Sequence, residues 1–131
     1  MTTKLAVFLV GLALILPVFP ALAHHTVVAI YDNEQPITLT GTVTKFDWRN
    51  PHVWFYMDVK DANGQVTNWG FELNGLNVLS RAGWTRSTLK VGDTLTVQAN
   101  RARSGGPTAN AREVTTGTGQ KLLTRQQSTL Q

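Results

Sequence analysis

The chain carries three histidines and no cysteine, which restricts any metal chemistry to nitrogen and oxygen donors. His24 and His25 are adjacent, and His52 closes the segment Arg49-Asn50-Pro51-His52. Such a donor set suits Cu(II), Ni(II) or Zn(II), and nitrogen sites bind copper most strongly of the divalent first-row ions. If the chain is cut after Ala23, the α-amino nitrogen and the imidazole Nδ1 of His24 can chelate one ion together. No internal histidine can form that chelate. His25 or His52 would add a third nitrogen, giving the T-shaped arrangement called a histidine brace. An α-amino group titrates at about 7.7–8.0, so a metal can displace its proton near neutral pH. Glu72 or Asp47 would then orient an imidazole N–H from behind. The competing reading is simpler: His24 and His25 form a polar chain end, and His52 is a turn residue capping its own backbone.

The case for a new amino terminus rests on the residues before it. One cation, Lys4, precedes the apolar run Leu5 to Leu16, and Pro17 and Pro20 lead to the small residues Ala21 and Ala23. These are the parts of a secretory signal peptide with an A-x-A cleavage site. The run is shorter than the roughly 20 residues a membrane-spanning helix needs, so no transmembrane segment is expected after cleavage. Residues 1–23 are therefore read as a leader, 24–123 as one domain, and 124–131 as a flexible tail. Cleavage removes Lys4 and none of the eight acidic residues, so the formal charge of +4 falls to +3. Those cations are dispersed, which argues against nucleic acid as a partner. An exported chain without cysteine has no disulfide and must be held by its core.

The rest of the sequence reads as short strands. "TVVAIYD" (26–32) suggests a lead-in strand and "NEQP" a loop. "ITLTGTVTKFDW" (37–48) alternates, with Ile37, Leu39, Gly41 and Val43 on one face, until the pattern slips by one near Lys45. A slip of that kind predicts a β-bulge and a bent strand. "HVWFYMDVK" and "QVTNWGFEL" flank "DANG", and the core decides their register. A three-residue loop with Gly64 left-handed pairs Asp61 with Gln65 and puts Val53, Phe55, Met57, Val59, Trp69, Phe71 and Leu73 on a single apolar face. A two-residue loop would set Glu72 and Asn74 against the valines. "LNVLSRAG" (76–83) predicts a short helix ended by Gly83. "KVGD" is a turn, "TLTVQANRAR" a strand, and "ANAREVTTGTGQKLL" a strand or short hairpin. An all-β, five- to six-stranded OB-like Greek-key barrel, with one short helix between the third and fourth strands, accommodates this order. A small β-sandwich is the alternative.

The chosen register also defines an outer face, on which Trp54 lies opposite Glu72, Tyr56 opposite Gly70, Asp58 opposite Asn68 and His52 opposite Asn74. Trp54, Tyr56 and Glu72 are then a candidate site for a stacked small ligand, on the face OB folds commonly use. Equally, Tyr56 covering Gly70 is ordinary sheet packing. Arg101, Arg103 and Arg112 flank the glycine-rich loop "SGGPTANA" (104–111), and Arg49 sits in another turn. They offer anion contacts, or are simply solvated strand ends. The loop lacks the strand-to-helix setting of a phosphate-binding P-loop. No serine sits in a nucleophile elbow, so catalysis is not expected.

The Ala-His-His after the leader, "TLTGTVTKFDWRNPH", "GWTRSTLKVGD" and "PTANAREV" resemble a family of small exported bacterial proteins classed only as a domain of unknown function. The likeness runs over about residues 24–123. In architecture and in the Gly-x-Val opening strand, the chain is similar, more loosely, to the periplasmic bacterial OB-fold proteins linked to stress tolerance. The resemblance implies export and a barrel, and fold by itself does not imply activity. The sequence thus predicts a monomeric periplasmic or secreted binding or accessory protein. Its expected partner is a metal ion, with copper as the possible cofactor, or a small ligand. A protein docking an envelope partner is the alternative, and a copper redox enzyme a further one.

Overall fold

The computed structural model describes residues 29–122 and Thr124. Six strands run β1 (Tyr31–Asp47), β2 (Trp54–Lys60), β3 (Val66–Glu72), β4 (Thr94–Ala102), β5 (Thr108–Thr116) and β6 (Lys121–Leu122). One helix, α1 (Leu76–Arg81), lies between β3 and β4. In the sheet the order is β3-β2-β1-β4-β5-β6, and β3 also pairs with β5 in parallel, from Gly70↔Thr108 to Glu72↔Asn110. That last pairing closes β1 to β5 into a barrel, the arrangement expected of an OB fold. Among the described residues no helix is long and apolar enough to cross a membrane.

β1 bends so that it can serve two neighbours. Its register against β2 shifts between Val43 and Lys45, at the predicted slip. Gly41 lies where β1 runs close against the backbone of β2. A Cβ there would sit 2.4 Å from the carbonyl oxygen of Asp58, so only glycine fits. The β2–β3 hairpin has the register that the core demanded, with Phe55↔Phe71 and Met57↔Trp69. Its loop closes through Asp61 N–H to Gln65 O (2.9 Å), and Gly64 is left-handed at φ +86°. The Phe55 and Phe71 rings stack with centroids 5.0 Å apart and are fully buried. Such a pair adds about 0.5–1.5 kcal/mol beyond its area burial. Around it pack Val43, Val53, Met57, Leu73, Leu95, Val97 and Val114, together with Leu79 of α1 and Trp84 and Leu89 beyond it.

Three expectations are corrected. The lead-in strand does not extend back from Tyr31: Ala29 and Ile30 are helical. β4 ends at Ala102, the partner of Tyr31, so Ala29 and Ile30 have no β4 residue opposite them, and Thr26, Val27 and Val28 lie outside the described residues. "NEQP" is not a loop between strands but part of an excursion within β1. Four residues, 32–35, stand opposite the single Arg101 of β4, and pairing resumes at Pro36↔Asn100. The Asp32 carboxylate accepts the Glu34 N–H (3.1 Å) inside that excursion. Thr124, assigned from the sequence to a free tail, is buried. Its hydroxyl donates to the Arg112 carbonyl (2.7 Å), and its own carbonyl accepts from Asn74 Nδ2 (2.6 Å).

The turn carrying His52 is clamped to the start of α1. Asn50 Oδ1 accepts the Leu76 N–H (3.2 Å), satisfying one of the helix's orphan donors. Gly75 lies so close to the turn that a Cβ would meet the Pro51 carbonyl oxygen at 2.8 Å. Val53 N–H donates to Asn74 O (3.2 Å), which fixes the chain just after His52.

Candidate functional site

Glu72 ends β3 on the outer face of the sheet, yet only 9% of it is exposed. A buried carboxylate is costly unless its oxygens are satisfied, and here both are. Oε2 accepts the hydroxyl of Tyr31, and Oε1 accepts Nδ1–H of His52. The backbone carbonyl of Glu72 meets Asn110 Nδ2 at 3.4 Å. Tyr31 is 2% exposed, and burial, then the hydrogen bond and the charge of Glu72, push its phenol pKa well above the ordinary value. The phenol is therefore a fixed donor across the neutral range.

The His52 side chain is 43% exposed, so the Glu72 carboxylate holds it at the surface rather than inside the core. With Nδ1 committed to Glu72, the ring nitrogen left for a ligand is Nε2, and no described residue partners it. Glu72 thereby fixes the orientation of the ring, with Nδ1–H as the donor. Asp47, the other carboxylate the sequence offered, is held elsewhere: it pairs with Arg49 at 2.8 Å and Lys45 at 3.6 Å. No group of three or more metal-ligating side chains occurs among the described residues. His24 and His25 lie outside the described residues, as does the leader.

Trp54 and Tyr56 stand side by side on the same face, ring centroids 6.4 Å apart and 21° from parallel. They cover Gly70, where a Cβ would lie 3.2 Å from Tyr56 Cε1 and 3.7 Å from Trp54 Cζ3. Lys45 Nζ sits 5.3 Å from the Tyr56 ring centroid. The structure therefore brings His52, Glu72 and Trp54 to one end of the hairpin, with Trp54 directly across the ladder from Glu72. The arginines do not converge. Arg101 lies over Trp69 (5.4 Å) and donates to Gly105 O (2.6 Å), while Arg103 reaches Asp32 at 3.6 Å.

Sequence reasoning missed Tyr31, which is 41 positions from Glu72 and meets it only because β1 pairs with β4 and β4 with β5. No spacing rule marks such a contact.

The chain belongs to the family of unknown function DUF6152, whose model matches residues 13–111. The search of curated proteins returned no match. Among solved structures, the chain is similar to Rim1, a mitochondrial single-stranded DNA binding protein from S. cerevisiae. The identity is 10% and the TM-score 0.50, over 63% of this chain and 92% of that one. A likeness at that identity supports the OB-like fold and nothing more.

Proposed function

We propose that this DUF6152 member is an exported protein, cleaved after Ala23, that acts in the periplasm or outside the cell by binding a metal ion rather than by catalysis. One observation carries the reading: Glu72 holds Nδ1 of a surface histidine while Tyr31 holds Glu72. Metal-ligating histidines almost always have such a carboxylate or carbonyl behind them, because it fixes the tautomer and makes the other nitrogen a better donor. A buried carboxylate spent on orienting an exposed imidazole is hard to explain by stability alone. Copper is the preferred ion, since the available donors are nitrogens and the chain has no thiolate. His24, with its free amino group, and His25 are the further donors that the sequence offers.

Nucleic acid is not the proposed ligand, because the cations are dispersed and Lys45, which lies beside the Trp54–Tyr56 pair, is already engaged at Asp47 and Tyr56. A second reading, a small flat ligand beside Trp54, is favoured by the half-buried Trp54–Tyr56 pair.

The test uses protein secreted through its own leader. Its amino-terminal sequence should begin at His24, and it should bind one equivalent of Cu(II). Adding a methionine before His24 should abolish tight binding, and His52→Ala should weaken it at least tenfold. Equal binding by the native, extended and His52→Ala forms would refute the metal reading. Trp54 fluorescence quenched by a small aromatic ligand, with Cu(II) binding absent, would favour the second.

A further inference from the structure

Away from His52, a concavity of about 680 Å³ opens on the outer face of β4 and β5. Two irregularities in the strands build it. The excursion at residues 32–35 of β1 raises Asn33 as one wall, and Asn33 Oδ1 accepts from Asn100 Nδ2 at 2.6 Å. On the other side the β4–β5 register shifts, with Gln98 facing Glu113 and Ala99 facing Ala111. Arg112 is the extra residue of that bulge. Ala111 and Val114 stay in the core, so Arg112 and Glu113 both lie on the outer face, beside Gln98 and Asn100. Bulges that re-aim a side chain in this way gather at binding sites.

The bulge is not an accident of a frayed edge. β5 gives residues 108–110 of its free edge to β3 and 114–115 to β6. In the gap between them the Arg112 carbonyl is satisfied by the buried Thr124 hydroxyl. The backbone beneath the Arg112 side chain is thus pinned on both sides.

The charges in the concavity do not cancel. Lys121 is paired with Glu113 at 3.0 Å, whereas Arg112 makes no ion pair among the described residues. The same concavity is lined by three carboxamides, Asn33, Gln98 and Asn100. Asn33 and Asn100 bond each other, which leaves the Asn33 amide nitrogen and the Asn100 amide oxygen to offer beside both groups of Gln98. Pro36 and Leu122 supply the apolar surface. We propose that this concavity binds a small sugar acid, with the carboxylate on Arg112, the hydroxyls on the three carboxamides, and the apolar face of the ring on Pro36 and Leu122. A guanidinium recognises a carboxylate through two parallel hydrogen bonds, and amides suit vicinal hydroxyls, which both donate and accept. The volume lies within the range of small-molecule sites, about 300–1,000 Å³. The inference is independent of the metal reading, and its test uses metal-free protein.

The experiment follows backbone amide NMR signals of the ¹⁵N-labelled secreted protein titrated separately with D-glucuronate, D-glucose and acetate, in the presence of a chelator. Glucuronate should shift the amides of Gln98, Asn100 and Arg112 saturably, while glucose and acetate should each bind at least tenfold more weakly. Arg112→Gln should weaken glucuronate at least tenfold and leave Cu(II) binding unchanged. Gln98→Glu, at an exposed position, should do the same by repelling the carboxylate. The proposal is overturned by glucose binding as well as glucuronate, by shifts that map elsewhere, or by Arg112→Gln binding normally. It is also overturned if no saturable shift appears up to about 50 mM, far beyond a millimolar dissociation constant.

Discussion

The β2–β3 hairpin presents two carboxylates on one outer face, Glu72 and Asp58, and they have opposite characters. Asp58 accepts from Asn68 Nδ2 (2.7 Å), which also donates to Thr44 Oγ1 (2.9 Å), and all three residues are exposed. Its partner Asn68 lies on β3, and the other partner of Asn68, Thr44, lies on β1; these are the neighbouring strands, and water competes for both bonds. Glu72 is buried, and its partners come from the start of β1 and from the turn before β2. The two sites share register and chemistry, so what separates them is the barrel's closure. At Asp58 the hairpin stands clear of β5, whereas at Glu72 β3 is paired with β5 and covered by Tyr31 and His52. A carboxylate that decorates the sheet at one end becomes, at the other, the fixed point on which a tyrosine and a histidine are hung.

That contrast predicts unequal costs. Glu72→Ala leaves the Tyr31 hydroxyl and the His52 N–H without their acceptor, and should destabilise the protein by about 3 kcal/mol, since bonds to a charged acceptor contribute roughly 1.5–3 kcal/mol each. In urea unfolding the midpoint should fall by about 1 M or more. A loss within about 0.5 kcal/mol would mean that the buried carboxylate is no more anchored than Asp58.

Tyr31→Phe should cost less, about 1–2 kcal/mol, because the carboxylate keeps His52. It should also alter the alkaline limb of the stability profile. The phenol's pKa is raised in the folded state, so its contribution is fully present below the ordinary value near 10. As the pH climbs past that value, the unfolded chain loses the proton first, and the contribution is lost toward the higher folded value. The native protein should therefore lose stability above about pH 10 more steeply than Tyr31→Phe, measured by urea unfolding at stepped pH. Parallel profiles would show that Tyr31 is not the protonated donor.

The smallest effect belongs to the exposed end. Asp58→Asn should change stability by no more than about 0.5 kcal/mol in the same assay, since exposed polar pairs contribute little. A change as large as that of Glu72→Ala would erase the distinction between the two ends.

The hairpin register was legible because the core decides it: one alignment puts seven apolar side chains on one face, and the other sets Glu72 and Asn74 against the valines. The β1 bulge was legible too, as an alternation that slips near Lys45. The same sign was present at Arg112-Glu113, two polar residues between the buried Ala111 and Val114, and it marks the bulge that builds the concavity. Glu72 could be named as a partner for His52 because both flank Trp54 in the hairpin. Which carboxylate His52 would take was open, and it was settled by the arginine and lysine that occupy Asp47. Tyr31 was not legible. Its contact with Glu72 depends on barrel closure and on the excursion at residues 32–35, neither of which leaves a local pattern.

In the proposed metal site, Glu72 fixes His52 with Nδ1 protonated and leaves Nε2 for the ion. Long-range ¹H–¹⁵N spectra of the imidazole, recorded while Zn(II) is added as a diamagnetic probe, test it most directly. The metal-free protein should show the Nδ1–H tautomer of His52, titration should shift Nε2 selectively, and Glu72→Gln should lose the tautomer preference. A His52 ring protonated at Nε2, or one whose nitrogens do not respond to the metal, would contradict it.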